Sequence, residues 1–295
     1  MNIEQRKKFS GIIDELCSRE SYRDMIYVHN HDVSMPSRDV LKKIMNLIRA
    51  VLFPGYYMEP DLHPENLTYY TGAKLDEFYN LLHEQILRGH CFNCMLKKKK
   101  NCDDCENKAK NSAFSFIEKV PEIRSFLADD VKAAYEGDPA AESYGEVIYC
   151  YPSIRAVTDY RVAHALFHLN VPLIPRIISE MAHSATGIDI HPRAEIGRNF
   201  FIDHGTGVVI GSTCRIGDNV KLYQNVTLGA RSFPLDENGN PVKGVVRHPV
   251  VGDNVIIYSG ATVLGRVTIG ENAVIGGNVW LTENVAPGEK ILNEI

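Results

Sequence analysis

Six polar residues in the C-terminal half of the chain have types that could perform acid–base chemistry. They are Asp189, His191, Asp203, His204, Arg247 and His248. A carboxylate that hydrogen-bonds one imidazole nitrogen fixes the tautomer of the ring and leaves the other nitrogen to accept a proton. The residue types therefore predict a general base, provided that the fold brings an acid and an imidazole together.

A six-residue repeat that starts at Ile188 could supply this placement. The units read IDIHPR, AEIGRN, FFIDHG, TGVVIG, STCRIG, DNVKLY and QNVTLG, and then RHPVVG, DNVIIY, SGATVL, GRVTIG, ENAVIG, GNVWLT and ENVAPG. The third place is small or aliphatic, and 16 of the 22 glycines lie at or after Gly187. This repeat is typical of a parallel β-helix, in which three units form one triangular coil with tight corners.

Counting faces of the coil places Asp189 at the start of the first face and His204 at the end of the third. These positions share a corner and are one rung apart, about 4.8 Å in the direction of the hydrogen bonds. The spacing predicts a dyad of Asp189 and His204, with Asp203 beside it. The alternative is that His204 is an ordinary surface or packing residue.

Arg247 and His248 open the eighth unit, at the corner between the first and second faces. This is a different edge of the prism from the one that carries His204. If all of them serve one site, a neighbouring copy must bring the edges together, which predicts a threefold assembly with sites in the clefts. Arg247 could instead be a solvated charge. The polar loop at 230–246 interrupts the repeat and is expected to carry function or a partner contact.

Upstream of the repeat, apolar residues recur at helical spacing. The three apolar faces are Leu41, Ile44, Met45, Ile48, Leu52; Leu75, Phe78, Tyr79, Leu82, Ile86; and Ile123, Phe126, Leu127, Val131. Breaks are expected at Pro54-Gly55, Pro121, 137–139 and Pro152, with Ser153 as a helix N-cap. The sequence thus predicts an α+β protein with a helical domain at 1–186 and a β-helix domain at 187–295.

Four of the seven cysteines lie close together in the helical part. Cys91, Cys94, Cys102 and Cys105 form a C-x2-C-x7-C-x2-C pattern around four lysines. Four thiolates can close a structural zinc site or hold an iron–sulfur cluster, and the alternative is four unligated thiols in a helical hairpin.

The overall charge narrows the classes of partner. The 295 residues carry a formal net charge of −5, which argues against a general nucleic-acid binder. No uncharged apolar run approaches the length of a membrane span, and the charged N-terminus is unlike a signal peptide. We therefore expect a cytoplasmic protein with small-molecule or protein partners.

Several motifs, in order, resemble those of the serine O-acetyltransferases. The matching stretches are DPAAES at 138–143, DYRVAH at 159–164, GIDIHPRAEIG at 187–197, DHGTGVVIG at 203–211, NVTLG at 225–229 and RHP at 247–249. The resemblance covers about half of the chain. It implies a left-handed β-helix, an exception to the usual handedness of parallel crossovers, and transfer of acetyl from acetyl-CoA to L-serine in cysteine synthesis.

The resemblance also implies roles for individual residues. His204 would be the general base with Asp189 as its partner, Asp138 and Asp203 would bind the ammonium group of serine, and Arg247 would pair with its carboxylate. His248 would contact the substrate or polarise the thioester. Backbone N–H groups of Gly229, Ala230, Gly260 and Ala261 are candidates for CoA contacts, although tight coil packing explains these small residues equally well.

The expected threefold assembly would be a homotrimer or a dimer of trimers. The resemblance adds a possible partner, because the C-terminal Ile295 could dock O-acetylserine sulfhydrylase. That isoleucine could equally be incidental, because the tail is short, and the 230–246 loop is longer and more acidic than is usual in the family.

Three rival functions remain open at this stage. One is a hexapeptide acyltransferase for another acceptor, such as a sugar or an antibiotic amine. Another is a metal-dependent hydratase similar to the gamma carbonic anhydrases, which needs a close pair of histidines that the spacing of His191, His204 and His248 does not supply. The third is a scaffold without activity that docks a sulfhydrylase.

Overall fold

The computed structural model describes residues 1–23, 25–27, 33–57, 62–96 and 103–293. The chain divides into two compact units, Met1–Ser34 and Met35–Ile295. The first unit contains α1 (Ile3–Leu16) and the short α2 (Arg19–Tyr22). Asn2 and Gln5 form a reciprocal capping box at the start of α1, in which the side chain of each residue accepts a hydrogen bond from the backbone N–H of the other.

The second unit begins with a helical layer. Its helices are α3 (Arg38–Leu52), α4 (Leu67–Leu96), α5 (Asp103–Gly137), α6 (Tyr144–Cys150), α7 (Pro152–His168) and α8 (Ile174–Thr186). The predicted apolar faces are confirmed, because Ile44, Phe78 and Leu127 are among the fully buried side chains. No helix in the described part of the chain carries an apolar stretch long enough to cross a membrane.

Two details of the helix prediction are wrong. The expected break at Pro121 does not occur, and α5 runs through this residue. Val120 and Ile123 are buried on either side of it, and their packing offsets the lost hydrogen bond. At the start of α7 the N-cap is Tyr151 rather than Ser153, because Pro152 occupies the first helical turn.

Within the described residues, fourteen short strands follow, each of two or three residues, and they form three parallel sheets. They are β1 (Asp189–Ile190), β2 (Glu195–Ile196), β3 (Phe201–Ile202), β4 (Val209–Ile210), β5 (Arg215–Ile216), β6 (Lys221–Leu222), β7 (Thr227–Gly229), β8 (Val250–Val251), β9 (Ile256–Ile257), β10 (Thr262–Leu264), β11 (Thr268–Ile269), β12 (Val274–Ile275), β13 (Trp280–Leu281) and β14 (Lys290–Ile291). The sheets run in the orders β1-β4-β7-β10-β13, β11-β8-β5-β2 and β14-β12-β9-β6-β3. Each strand from β4 to β13 therefore pairs in parallel with the strand three before it, and β14 pairs with β12. The predicted parallel β-helix is confirmed.

The first rung of the coil is longer than the repeat predicts. β1, β2 and β3 start six residues apart, whereas β3 starts at residue 201 and β4 at residue 209. As a result Asp189 pairs with Val209, while Val209 in the next rung pairs with Thr227. The unbroken six-residue register is therefore wrong at this corner. Two additional residues are accommodated in the turn that contains His204 and Gly205, both of which have a positive φ.

A buried ion pair joins the helical layer to the first rung. Arg161 on α7 donates to both carboxylate oxygens of Asp130 on α5, at 2.6 and 2.8 Å. The same guanidinium donates to the backbone carbonyl of Gly197 at 2.8 Å, and the N–H of Phe200 donates to Asp130 at 3.0 Å. Two helices and one corner of the coil therefore share a single polar network that water does not reach.

We expect Asp130→Asn to destabilise the protein strongly, because it leaves the guanidinium of Arg161 buried without its counter-charge. Loss of one partner of such a pair costs about 3 to 5 kcal/mol. Urea unfolding followed by circular dichroism measures the loss. Glu136→Gln is the control, since Glu136 forms an exposed pair with Lys132 at 3.8 Å and should change the free energy of unfolding by less than about 1 kcal/mol. Equal effects of the two variants would contradict the role of the network.

Candidate active site

His204 lies at the long corner between β3 and β4 in the left-handed backbone conformation. Its φ is 56°, and every other non-glycine residue with positive φ in the described β-helix is an asparagine. Non-glycine residues with positive φ are uncommon, although histidine is among the types enriched there, and such residues cluster at functional sites. The side chain of His204 is 76% exposed. The neighbouring Gly205 packs beneath Ile188, where a Cβ would come within 2.5 Å of the isoleucine side chain, so the corner closes tightly while the imidazole points outward.

The end of α5 is held against the third face of the coil next to this corner. Gly137 lies on the ring of Phe201, since a Cβ at residue 137 would be 2.8 Å from that ring. The Nζ of Lys221 donates to the carbonyl of Gly137 at 2.5 Å and completes the C-terminus of the helix. These contacts fix the position of the next residue, Asp138.

Asp138 presents an ionised carboxylate to the corner. Its Oδ2 accepts a hydrogen bond from the hydroxyl of Tyr151 at 2.6 Å, and its Oδ1 accepts one from the N–H of Ala140 at 2.8 Å. The Tyr151 hydroxyl, followed by the Ala140 N–H, lowers the pKa of Asp138, and the nearby charges of His204 and Lys221 act in the same direction. Hydrogen bonding to this carboxylate in turn raises the pKa of Tyr151.

The corner thus gathers three of the predicted site residues. The side chains of Asp203 and His204 are 4.0 Å apart, measured from Oδ1 to Nε2. Asp138 is near enough for the charge of His204 to lower the pKa of its carboxyl group. Asp189 is half-buried at the start of the first face. Within the described residues, no hydrogen bond joins Asp189 to His204.

Arg247 and His248 lie on a different edge, as the face count predicts. They follow the 230–246 loop and precede β8 on the second face. The guanidinium of Arg247 is 5.5 Å from the ring centroid of Phe233, which lies in that loop. His248 is buried and its Nδ1 is 2.8 Å from Oγ1 of Thr213. Burial lowers the pKa of His248 to about 4, and the charges of Arg247 and Arg266 add to the effect.

His191 occupies the same edge as His248. Burial lowers its pKa to about 4, and the charges of Arg176, His248 and Arg193 contribute. The two histidines are therefore close enough to interact, which the sequence analysis did not expect. Among the residues that the structure describes, no group of three His, Cys, Asp or Glu side chains is arranged to hold a metal ion.

Two of the four candidate CoA contacts have their N–H groups engaged within the coil. Gly260 donates to the carbonyl of Gln224 at 3.0 Å, and Ala261 donates to the carbonyl of Tyr258 at 3.3 Å. This favours a packing role for both residues. Gly229 and Ala230 are half-buried at the exit from β7 into the 230–246 loop.

The cysteine cluster lies where α4 and α5 face each other. Cys94 Sγ and Cys105 Sγ are 3.1 Å apart, and Cys91 and Cys105 are buried. Cys91 and Cys94 are three residues apart on α4, so they occupy the same helix face. Cys102 lies outside the described residues.

Two residues that support the site, Tyr151 and Thr213, were not predicted from the sequence. Tyr151 has no motif of its own and is recognised only through its contact with Asp138. Thr213 could have been recognised from the six-residue repeat. The second place of most units from TGVVIG onward holds Gly or Asn, whereas the corner between the first and second faces carries Thr213, His248 and Arg266 in successive rungs.

Comparison with known sequences places these features in a family context. Residues 248–283 match the family described as bacterial transferase hexapeptide (six repeats). A plasmid serine acetyltransferase of Synechococcus elongatus is 50% identical over 259 residues, which cover 87% of this chain and 81% of that protein. The serine acetyltransferase of Staphylococcus xylosus is 48% identical over 159 residues, covering 54% and 69% of the two chains.

Solved structures of serine acetyltransferases are also similar to this chain. Serine acetyltransferase isoform 3 of Entamoeba histolytica, in complex with cysteine, superposes with a TM-score of 0.73 at 34% identity and covers 94% of this chain and 89% of that one. Soybean serine acetyltransferase complexed with serine has a TM-score of 0.56 at 28% identity, covering 88% and 98%. The arrangement of helices before a β-helix is thus common to this chain and these enzymes.

Proposed function

The chain belongs to the serine acetyltransferase family, and from that membership we propose that it transfers acetyl from acetyl-CoA to the hydroxyl of L-serine. The protein is an acyltransferase with the left-handed β-helix of the hexapeptide family. One observation carries the assignment of the site: Asp138 and Asp203, from the helical layer and the coil, approach His204 at its extended corner.

The two carboxylates suit the ammonium group of an amino acid. Asp138 is kept ionised by Tyr151 and Ala140, and Asp203 lies within 4.0 Å of the imidazole. An ammonium bound between them would hold the serine hydroxyl beside His204. The relatives solved with serine and with cysteine support a site that recognises a zwitterionic amino acid rather than a sugar.

His204 is the proposed general base. A serine hydroxyl is a weak nucleophile at neutral pH, so attack on a thioester needs an adjacent base. His204 takes the hydroxyl proton as the serine oxygen bonds to the carbonyl carbon of the acetyl group. The carbon–sulfur bond then breaks, and the protonated imidazole returns its proton to the CoA thiolate. Asp189 is proposed to orient the ring when the substrates are bound.

Arg247 and His248 complete the site from a neighbouring copy in this proposal. They occupy another edge of the prism than His204, so a single chain carries two half-sites. Three copies around one axis would join each His204 corner to the Arg247 edge of the next copy. Arg247 would then pair with the carboxylate of serine, in the bidentate geometry that guanidinium groups favour.

The remaining contacts belong to the same proposal. Acetyl-CoA would lie along the cleft, with the backbone N–H groups of Gly229, Ala230, Gly260 and Ala261 as candidates for its contacts. Pairing of trimers, a cytoplasmic location and docking of O-acetylserine sulfhydrylase through Ile295 stay predictions, and Ile295 lies outside the described residues.

We also propose a structural metal site at Cys91, Cys94, Cys102 and Cys105. Cys94 and Cys105 bring together the end of α4 and the start of α5, with their sulfur atoms in contact. In the sequence, Cys91 lies three residues before Cys94 and Cys102 three residues before Cys105, so the pattern supplies four thiols. Four thiolates can bind a zinc ion or an iron–sulfur cluster and fill all of the protein-ligand positions. Such a site would fasten the helical hairpin and take no part in catalysis.

We expect His204→Asn to abolish most acetyl transfer while leaving assembly and thermal unfolding unchanged. Asparagine tolerates the left-handed backbone of this corner but cannot accept the proton, and a general base contributes about 10²- to 10⁴-fold. Release of free thiol from acetyl-CoA with L-serine measures turnover, and His183→Asn on α8 is the control. Unchanged turnover would refute the base assignment. Thiol release with another acceptor but none with serine would favour the rival acyltransferase.

Tyr151→Phe should weaken serine binding through Asp138. The loss of one hydrogen bond to a carboxylate, about 1.5 kcal/mol, predicts a roughly 10-fold rise in the KM for serine, with the KM for acetyl-CoA unchanged. Without the hydroxyl the pKa of Asp138 rises, so serine binding fails at a higher pH as the solution is acidified. Tyr149→Phe, an exposed tyrosine two residues earlier, is the matched control. Parallel changes in both KM values would contradict the proposal.

Metal analysis tests the cysteine site. Protein purified without chelators should contain zinc or iron, and Cys105→Ser should lose the metal and lower the unfolding temperature. Cys17→Ser, an exposed cysteine at the end of α1, should retain the metal. Absence of both metals from the unmodified protein would rule out the site.

A further inference from the structure

We propose that Thr213 is a positioning residue that holds His248 as the neutral tautomer with its proton on Nε2. In this form His248 donates a hydrogen bond to the thioester carbonyl oxygen and takes no proton from serine. The inference rests on the proposed function, and it divides the work between the two histidines of the site. His204 moves the proton, and His248 stabilises the charge that develops on the carbonyl oxygen.

The hydrogen bonds around Thr213 determine the tautomer. The backbone N–H of Thr213 points at Nδ1 of His248 with an N to N distance of 3.2 Å. A backbone N–H can only donate, so Nδ1 must accept and carries no proton. The single remaining proton of a neutral imidazole is then on Nε2.

The hydroxyl of Thr213 leads to the same assignment. Its Oγ1 accepts from the N–H of Arg247 at 3.0 Å and from the N–H of His248 at 3.1 Å. With both lone pairs engaged, the hydroxyl proton is left to donate to Nδ1, which lies 2.8 Å away. The hydroxyl and the N–H of Thr213 thus share the one lone pair of Nδ1 in a three-centre hydrogen bond. Thr213 and His248 are both at least nine-tenths buried, so water competes little for these bonds.

The charges near His248 keep the ring neutral. Burial, followed by the positive charges of Arg247 and Arg266, lowers its pKa to about 4. Arg266 donates to the carbonyls of Thr213 and His248, both at 3.0 Å, and burial likewise lowers the pKa of His191 on the same edge to about 4. Near neutral pH the ring is therefore a hydrogen-bond donor at Nε2.

Gly211 leaves room for the ring. A Cβ at this position would lie 2.0 Å from Cδ2 and 2.3 Å from Nε2 of His248. The imidazole therefore packs directly against Gly211 in the preceding rung, with Nδ1 held by Thr213. This packing and the hydrogen bonds fix the direction of the Nε2–H bond before the substrate arrives, as electrostatic stabilisation of an oxyanion requires.

The role of His248 in the reaction is then fully specified. As the serine oxygen bonds to the carbonyl carbon, the carbonyl π electrons move to oxygen, and the Nε2–H hydrogen bond strengthens. When the carbon–sulfur bond breaks, the carbonyl reforms and His248 is unchanged. The proton removed from serine travels only through His204 to the thiolate.

Kinetics of a matched pair at residue 213 test the proposal. Thr213→Val keeps the shape but removes the hydroxyl, and kcat should fall about 10-fold with both KM values changed less than about twofold. Thr213→Ser restores the hydroxyl and should recover most of the activity. His248→Gln keeps an amide donor near the position of Nε2 and should remain more active than His248→Leu.

A double variant separates positioning from general stability. If Thr213 acts through the ring, Thr213→Val should cost nothing further in the His248→Gln background. The same 10-fold loss in that background, full activity of Thr213→Val alone, or equal activities of the two His248 variants would each overturn the proposal.

A measurement that does not depend on activity accompanies the kinetics. The 15N resonances of histidine-labelled protein at pH 7, assigned with His248→Gln, should show a protonated Nε2 and an unprotonated Nδ1 for His248. The opposite pattern would refute the tautomer. An inactive wild-type enzyme with this predicted pattern would instead refute the proposed function and leave the assignment of the tautomer intact.

Discussion

The buried pair of Asp130 and Arg161 is the interaction on which the geometry of the site depends. It ties α5 and α7 to the corner of the first rung through the backbone of Gly197 and Phe200. Asp138 lies eight residues after Asp130, about 12 Å along the helix axis. Its place beside the coil is therefore fixed by a network remote from the substrate. A charge pair without water is costly to break, so the helices cannot slide along the coil.

The coil itself combines two opposing requirements. Parallel rungs stack only if their corners repeat, and asparagine or glycine in the left-handed region provides that repetition at most corners. The proposed acid–base catalysis, in contrast, requires a side chain that projects from the regular surface of the coil. The two additional residues around His204 meet both requirements. The rungs on either side remain hydrogen-bonded to each other, and the imidazole projects into solvent.

Much of this arrangement could be predicted from the sequence, and the rest could not for physical reasons. The repeat predicted the β-helix, the corner of His204 and the separate edge of Arg247. The register change escaped notice because Val208 and Ile210 are both buried and either could be read as the repeating position. Thr213 and Tyr151 escaped because their roles arise from contacts between distant segments, which spacing along the chain does not encode.

The stacking of the coil also determines where its length can vary. Each rung touches only its neighbours, and the groups that we propose to act together occupy the first four rungs, from His204 to Arg266. A whole rung inserted between β5 and β8 would move Thr213 away from His248 by about 4.8 Å and abolish their hydrogen bonds. A rung added beyond β11 would meet no such obstacle. The prism can therefore lengthen at one end during evolution, while the other end is fixed by its chemistry.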